Sequence, residues 1–291
     1  MSLQGEFGRG IRPADAPAAA GSTSCPNCEC GGARPPPSYV YAIGRIEPRF
    51  PSLSVEKEFA QSAGRAQTAS LTDRQVIHTI LARRENRYLL RELCWVMTVE
   101  GVETYLLTPR DPLELDLLME TLRATSDPTG VDVVIGELGP IAPATYCNGL
   151  TIPFVAYDQI YSFNRASLID ALPRPENVEP DRFRASAAEV FDRITQIADN
   201  AGATDAHRAL NYLAMRYPGI YAAVLDAHAR NMALGGVQVR PSTLGGARKI
   251  LDVVFSFTNR ATDVAEKQFL RVDVTEKFPF LFSKISPYVE H

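Results

Sequence analysis

From residue 38 onward, runs of two-residue alternation give way to runs of helical spacing, and each change of period marks the end of an element. Tyr39, Tyr41 and Ile43 alternate with Val40 and Ala42, which predicts a short strand ending at Gly44. After Pro51-Ser52, the residues Leu53, Phe59, Ala60 and Ala63 share one side of a helix that stops at Gly64. Thr72 and Gln75 have the spacing of a capping box, ahead of Val76, Ile77, Ile80 and Leu81 at helical intervals. Two β-rich runs, 93–99 and 102–108, are split by Glu100-Gly101 and read as a hairpin, although Glu is a poor first turn residue. A short helix over 112–122 and buried strands over 131–135 and 152–157 follow.

Between about 181 and 231 the pattern becomes helical throughout. Ala187, Val190, Phe191, Ile194, Ile197 and Ala198 form one apolar stripe, which Gly202 is expected to close. Thr204 caps the next helix, and Pro218 can start a third. Strand periodicity then returns: Leu251, Val253, Phe255 and Phe257 fall on one face, Asp252 and Ser256 on the other, and a partner strand runs over 269–274. Strands, a helical block and strands again predict an α+β fold, with a largely antiparallel sheet built from N- and C-terminal strands around a central helical block.

Residues 1–37 are rich in Gly, Pro, Ala and Ser and end in Pro35-Pro36-Pro37, so they cannot bury enough apolar surface to order themselves. We expect a flexible tail over 1–37 and a single α+β domain over 38–291. Hydrophobic residues make up 45% of the chain, enough for a substantial core. A formal charge of −4 provides no general cationic field for nucleic acid or an anionic bilayer, so neither is expected as a partner. No apolar run reaches the ~18–20 residues of a membrane helix, and the start lacks a charged stretch followed by an apolar one. A cytoplasmic protein is the expectation.

Five cysteines, three in the tail and two far apart, do not read as a disulfide framework; reduced thiols or metal ligands are expected. Cys25, Cys28 and Cys30 can wrap one zinc ion at ~2.3 Å per thiolate. A structural site closes with four ligands, and Cys147 is the first candidate for the fourth, with Cys94 the other sulfur available. The alternative is an unoccupied tail. Cys94, beside Trp95 in an apolar strand, reads as core. Cys147 lies in the turn Tyr146-Cys147-Asn148-Gly149, where a thiol can be a ligand or a nucleophile, with His207 as the base that a nucleophile would need. His207 follows Thr204-Asp205 in the first turn of a helix, where a structural role is the competing reading; His78 and His228 read as ordinary helix residues. The chain has no G-x-S-x-G elbow, phosphate loop or H-E-x-x-H pair, and no organic cofactor is expected.

Several stretches resemble a known family. They are 39–47 (YVYAIGRIE), 93–96 (LCWV), 157–163 (YDQIYSF), 204–221 with His207-Arg208-Ala209-Leu210-Asn211-Tyr212, and 253–258 continuing into 272–275. Together they resemble the C-terminal domain of PatG-type cyanobactin maturation proteases, a domain of unknown function shared with PatA-type proteins. The tail cluster is similar to the Cys-rich linker that precedes this domain. The Ser-His-Asp subtilisin-like protease domain of those proteases is missing from this sequence, so the resemblance implies neither proteolysis nor macrocyclisation. It implies a non-catalytic accessory protein of ribosomal-peptide biosynthesis, which binds precursor peptide or scaffolds peptide-modifying enzymes. Sheet edges can accept an extended peptide by backbone hydrogen bonding, and Arg45, Arg49, Tyr157 and Tyr161 are the candidate contacts. The alternatives are a Cys-dependent transferase or hydrolase using Cys147 and His207, and a zinc-stabilised dimerisation module, with a homodimer as its assembly.

Overall fold

A computed structural model describes residues 37–64, 72–123, 130–174, 178–197 and 199–289. The expected tail up to residue 36, with Cys25, Cys28 and Cys30, lies outside them. The chain order is β1 (Tyr39–Arg49), α1 (Leu53–Ala63), α2 (Asp73–Leu81), α3 (Leu89–Glu92), β2 (Cys94–Val99), β3 (Val102–Pro109), α4 (Leu115–Arg123), β4 (Gly130–Ile141) and β5 (Pro153–Asn164). It continues with α5 (Arg165–Asp170), α6 (Pro180–Thr195), α7 (Asp205–Arg216), α8 (Gly219–Ala229), β6 (Met232–Pro241), β7 (Ile250–Asn259), β8 (Ala265–Asp273) and β9 (Phe280–Pro287). The α+β class and the predominance of antiparallel pairing are as expected. Among the described residues no helix is long and apolar enough to cross a membrane.

Local signals landed where side-chain chemistry required them. Ser52 caps α1 by accepting from the Val55 N–H, and Thr72 and Gln75 exchange the reciprocal bonds of a capping box at α2. Glu100 and Gly101 both adopt positive φ, +50° and +81°, which is the turn geometry that a two-residue hairpin between β2 and β3 demands.

The strands form two sheets where one was expected. β1, β2, β3, β5 and β4 close into a barrel in that order, with β3 and β5 parallel and the other pairs antiparallel. β6 to β9 make a separate four-stranded sheet in sequence order. The reason lies in β1, whose first half pairs with β4 and whose second half pairs with β2. Closure consumes every barrel edge and leaves nothing for the C-terminal strands to extend.

Strand alternation divides the apolar residues between two cores. Val40, Ala42 and Ile46 of β1 join Trp95, Met97, Tyr105, Leu107, Val155 and Tyr157, along with apolar residues of α2 to α4. Tyr41 and Ile43 of the same strand face the other way. There they meet α6, α7 and α8 and the inner face of the second sheet, including Val253, Phe255, Leu270 and Val272. The helical block thus lies between the barrel wall and the C-terminal sheet. A third, small cluster sits on the far side of the barrel, where Val96 and Leu106 are covered by Ala142 and Cys147.

Two features tie the layers together. Gly202 does not close the α6 stripe, since α6 ends at Thr195. It adopts φ +80° and packs so tightly on β1 that a Cβ would lie 2.3 Å from the Tyr41 carbonyl oxygen, while its own carbonyl accepts from the Tyr41 N–H at 2.9 Å. Arg208 of α7, 2% exposed, donates to the carbonyls of Val274 (2.9 Å), Glu276 and Lys277 (3.2 Å) and to Asp205 at 3.0 Å. It thereby fastens the segment that leads into β9.

Candidate functional site

An open groove of about 880 Å³ lies at one end of the barrel. One wall is the second half of β1. Gly44 lets that strand cross closely over β2, since a Cβ there would lie 2.1 Å from the Thr98 carbonyl oxygen. Beyond it, Ile46 points into the core while Arg45, Glu47 and Arg49 face the groove. The β2–β3 turn supplies Glu100 and the start of β3 supplies Glu103, and the opposite wall is Arg165 with Phe191, Thr195 and Gln196.

Charge in the groove is mixed and only partly committed. Arg49 pairs with Glu47 at 2.8 Å and with Glu103 at 3.1 Å, all three side chains being a third or more exposed. Pairs of this exposure hold at about 0–1 kcal/mol, so an incoming carbonyl or carboxylate can take the guanidinium at little cost. Arg165 lies over the Phe191 ring at 5.4 Å and pairs with Asp192 at 2.6 Å. A second hollow of about 630 Å³, between α6 and β6, meets the first at Gln196 and has a floor of small residues, Ala185, Ala188 and Gly236.

The structure divides the four expected peptide contacts. Arg45 and Arg49 line the groove. Tyr157 is corrected: it is 0% exposed in the barrel core, its hydroxyl donates to the Glu114 carbonyl at 3.0 Å, and burial pushes its pKa upward. Tyr161 is half-buried and turned to the helical side, where its hydroxyl meets that of Tyr41 at 2.7 Å beneath the Arg216 guanidinium. Arg165, Phe191 and Gln196 carry no sequence signal of a shared site, because only the packing of α6 beside the barrel brings them opposite β1.

Backbone edges are less available than expected. The barrel has none, and on β9 the Leu281 and Ile285 N–H groups donate to the Tyr212 and Tyr217 hydroxyls at 3.1 and 3.2 Å. β6 is the other edge of the C-terminal sheet.

The cysteine expectations also change. Cys94 and Cys147 form a disulfide, with Cα atoms 6.0 Å apart, so the expected reduced thiols at these positions are corrected. A bonded sulfur is neither a thiolate ligand for zinc nor a nucleophile, which removes Cys147 from both roles in this state. Cys147 packs among Cys94, Val96 and Leu106, whereas His207 stands on α7, whose packing partners are β1, α6 and β7. The His207 backbone N–H caps against Thr204 at 3.1 Å, and burial holds its imidazole below the ordinary range. Among the described residues no group of three or more His, Cys, Asp or Glu side chains converges on a metal site.

Comparison with known proteins places this architecture. Residues 177–288, which run from the entry to α6 through β9, match the family model described as PatG C-terminal. Over those residues the chain is similar to PatG C-terminal-type domains. A solved structure titled "PatG Domain of Unknown Function" is similar with a TM-score of 0.68 at 20% identity, over 86% of this chain and 98% of that one. At that identity the likeness speaks for the fold, and its coverage extends the PatG-type architecture beyond the family-model match into the barrel. Among curated proteins none matches the sequence.

Proposed function

We propose that this PatG-type domain serves a cyanobactin-like ribosomal-peptide pathway as a non-catalytic accessory, holding a precursor peptide or a peptide-modifying enzyme in the barrel-end groove. The observation that carries the reading is the groove itself. It is wide enough for a peptide segment and offers both Arg donors and Glu acceptors in weakly committed pairs, which suits a chain whose backbone presents carbonyls and N–H groups alike. Ser186 Oγ and His228 Nδ1 lie 3.0 Å apart between the packed helices α6 and α8, with Ser186 buried and away from the groove.

Calorimetry with the short precursor peptide encoded beside the gene tests this. Saturable heat in the micromolar range, weakened about tenfold (about 1.4 kcal/mol) in the Arg45→Ala, Arg49→Ala double variant, is the expected result. Absence of heat, with and without the neighbouring enzymes, would remove the proposal.

A further inference from the structure

The helices cover one face of the β6–β9 sheet, and the other face is built from unusual material. A solvent-facing antiparallel surface normally shows a row of polar side chains. Here the register aligns Gln238, Val254 and Phe269 in one row and Arg240, Asp252 and Arg271 in the next. The cations lie on rings. Arg240 stacks on Tyr288 at 4.9 Å, Tyr288 meets Phe269 edge-on at 5.5 Å, and Arg271 stacks on Phe269 at 4.8 Å. Near Asp273, Arg248 lies against Phe280 and Phe282 at 5.3 and 5.4 Å.

Stability does not require this arrangement to stay open. Phe280 and Phe282 remain 44% and 42% exposed, and Phe278 beside them 50%. Contiguous exposed rings interleaved with Arg are the residue types that carry binding energy at interfaces.

Charge selects the occupant. Among the described residues, the carboxylates on this face, Asp252 and Asp273, are buried (8% and 1%) and held by Arg271 at 2.9 Å and Arg248 at 2.6 Å. Lys267 and Lys284 add to the three arginines on the same face. The surface therefore presents cations and rings on a chain whose overall formal charge is −4. A second copy using the same patch across a two-fold axis would set arginine against arginine, which disfavours self-association there.

We infer that the outer face of the C-terminal sheet docks an acidic, aromatic-containing segment of another polypeptide. Its carboxylates meet Arg240, Arg248 and Lys284, and its apolar side chains cover Phe280 and Phe282. The inference does not rest on the groove reading, because the two surfaces share no residue.

Fluorescence anisotropy on the whole chain tests it, using as probe a fluorescein-labelled peptide of Glu, Asp, Trp and Gly and a control in which Lys replaces both acids. Binding of the acidic probe alone, weakening with added salt, is expected. Phe280→Ser with Phe282→Ser should raise Kd about tenfold, and Lys284→Glu, a change on an exposed side chain, should raise it several-fold, while the groove variant Arg49→Ala leaves it unchanged. Equal affinity for the Lys probe, equal affinity in both surface variants, or tighter binding of a thymidine oligonucleotide would overturn the inference. So would sedimentation showing a dimer that the double Phe variant dissolves.

Discussion

Breaking the Cys94–Cys147 bond is the sharpest single perturbation that the fold offers. The bond closes a loop of 53 residues between β2 and the β4–β5 connection. Reduction returns that loop's closure entropy to the unfolded chain, about 2.1 plus 1.5R ln 53 cal/mol/K, or roughly 4 kcal/mol at 25 °C. The native contacts survive reduction, because Val96, Leu106 and Phe154 still pack beneath the connection. With a urea slope of about 2–3 kcal/mol/M, the unfolding midpoint should fall by roughly 1–2 M on reduction, with the slope itself little changed. Thiol titration in denaturant with chelator present reads the bond directly: five cysteines less the bonded pair leaves three reactive thiols before reduction and five after. Hydrogen exchange should accelerate first at Cys147, Asn148 and Gly149, which hold φ of +45°, +55° and +91°, conformations that relax once the anchor is gone. Identical urea midpoints for oxidised and reduced protein, or five thiols in the unreduced protein, would refute the reasoning.

Other perturbations probe separate links. Gly202→Ala places a Cβ against the Tyr41 carbonyl at a positive φ, and chemical denaturation should show a loss of about 2–4 kcal/mol or failure to fold. Arg208→Met leaves the carbonyls of Val274, Glu276 and Lys277 without their donor and should cost about 3–5 kcal/mol, with exchange rising in β9 before the rest of its sheet. His207 and His228 are both held below the ordinary imidazole range, chiefly by burial, so the unfolded chain takes up protons before the folded one does. Stability should be full above about pH 6.5 and decline as pH falls toward the depressed folded values; urea midpoints between pH 7.5 and 5 check this, and a His207→Gln, His228→Gln chain should flatten the decline. Cys147→Ser should leave zinc content by elemental analysis equal to that of the parent chain, because the bonded sulfur is not a ligand; a drop would return Cys147 to the metal site.

What could be read from residue order alone was chemistry that closes within a few residues. The Thr72–Gln75 capping box and the Thr204 cap are pairs of groups three residues apart, and the structure shows each in place. The β2–β3 turn was legible because Gly101 tolerates positive φ, even with Glu100 an unfavourable neighbour. β6 and β9 were not legible. β6 interrupts its pattern with Gly235-Gly236, and β9 exposes Phe280 and Phe282 on its outward side, so neither shows a clean two-residue hydrophobic rhythm.

Tertiary structure decided everything that depends on distant segments arriving together. Periodicity marks β1 as a strand with an inward face, but not that its two halves pair with different partners and so close a barrel. That closure buried Tyr157, turned Tyr161 toward the helices, and left Arg45 and Arg49 facing α6 across the groove. Cys94 met Cys147 across 53 residues, and Arg208 reached carbonyls 66 to 69 residues away. Caps and turns follow from local hydrogen-bond stoichiometry, which residue order specifies; pairings across the chain follow from which surfaces exclude water together, and that is a property of the folded arrangement.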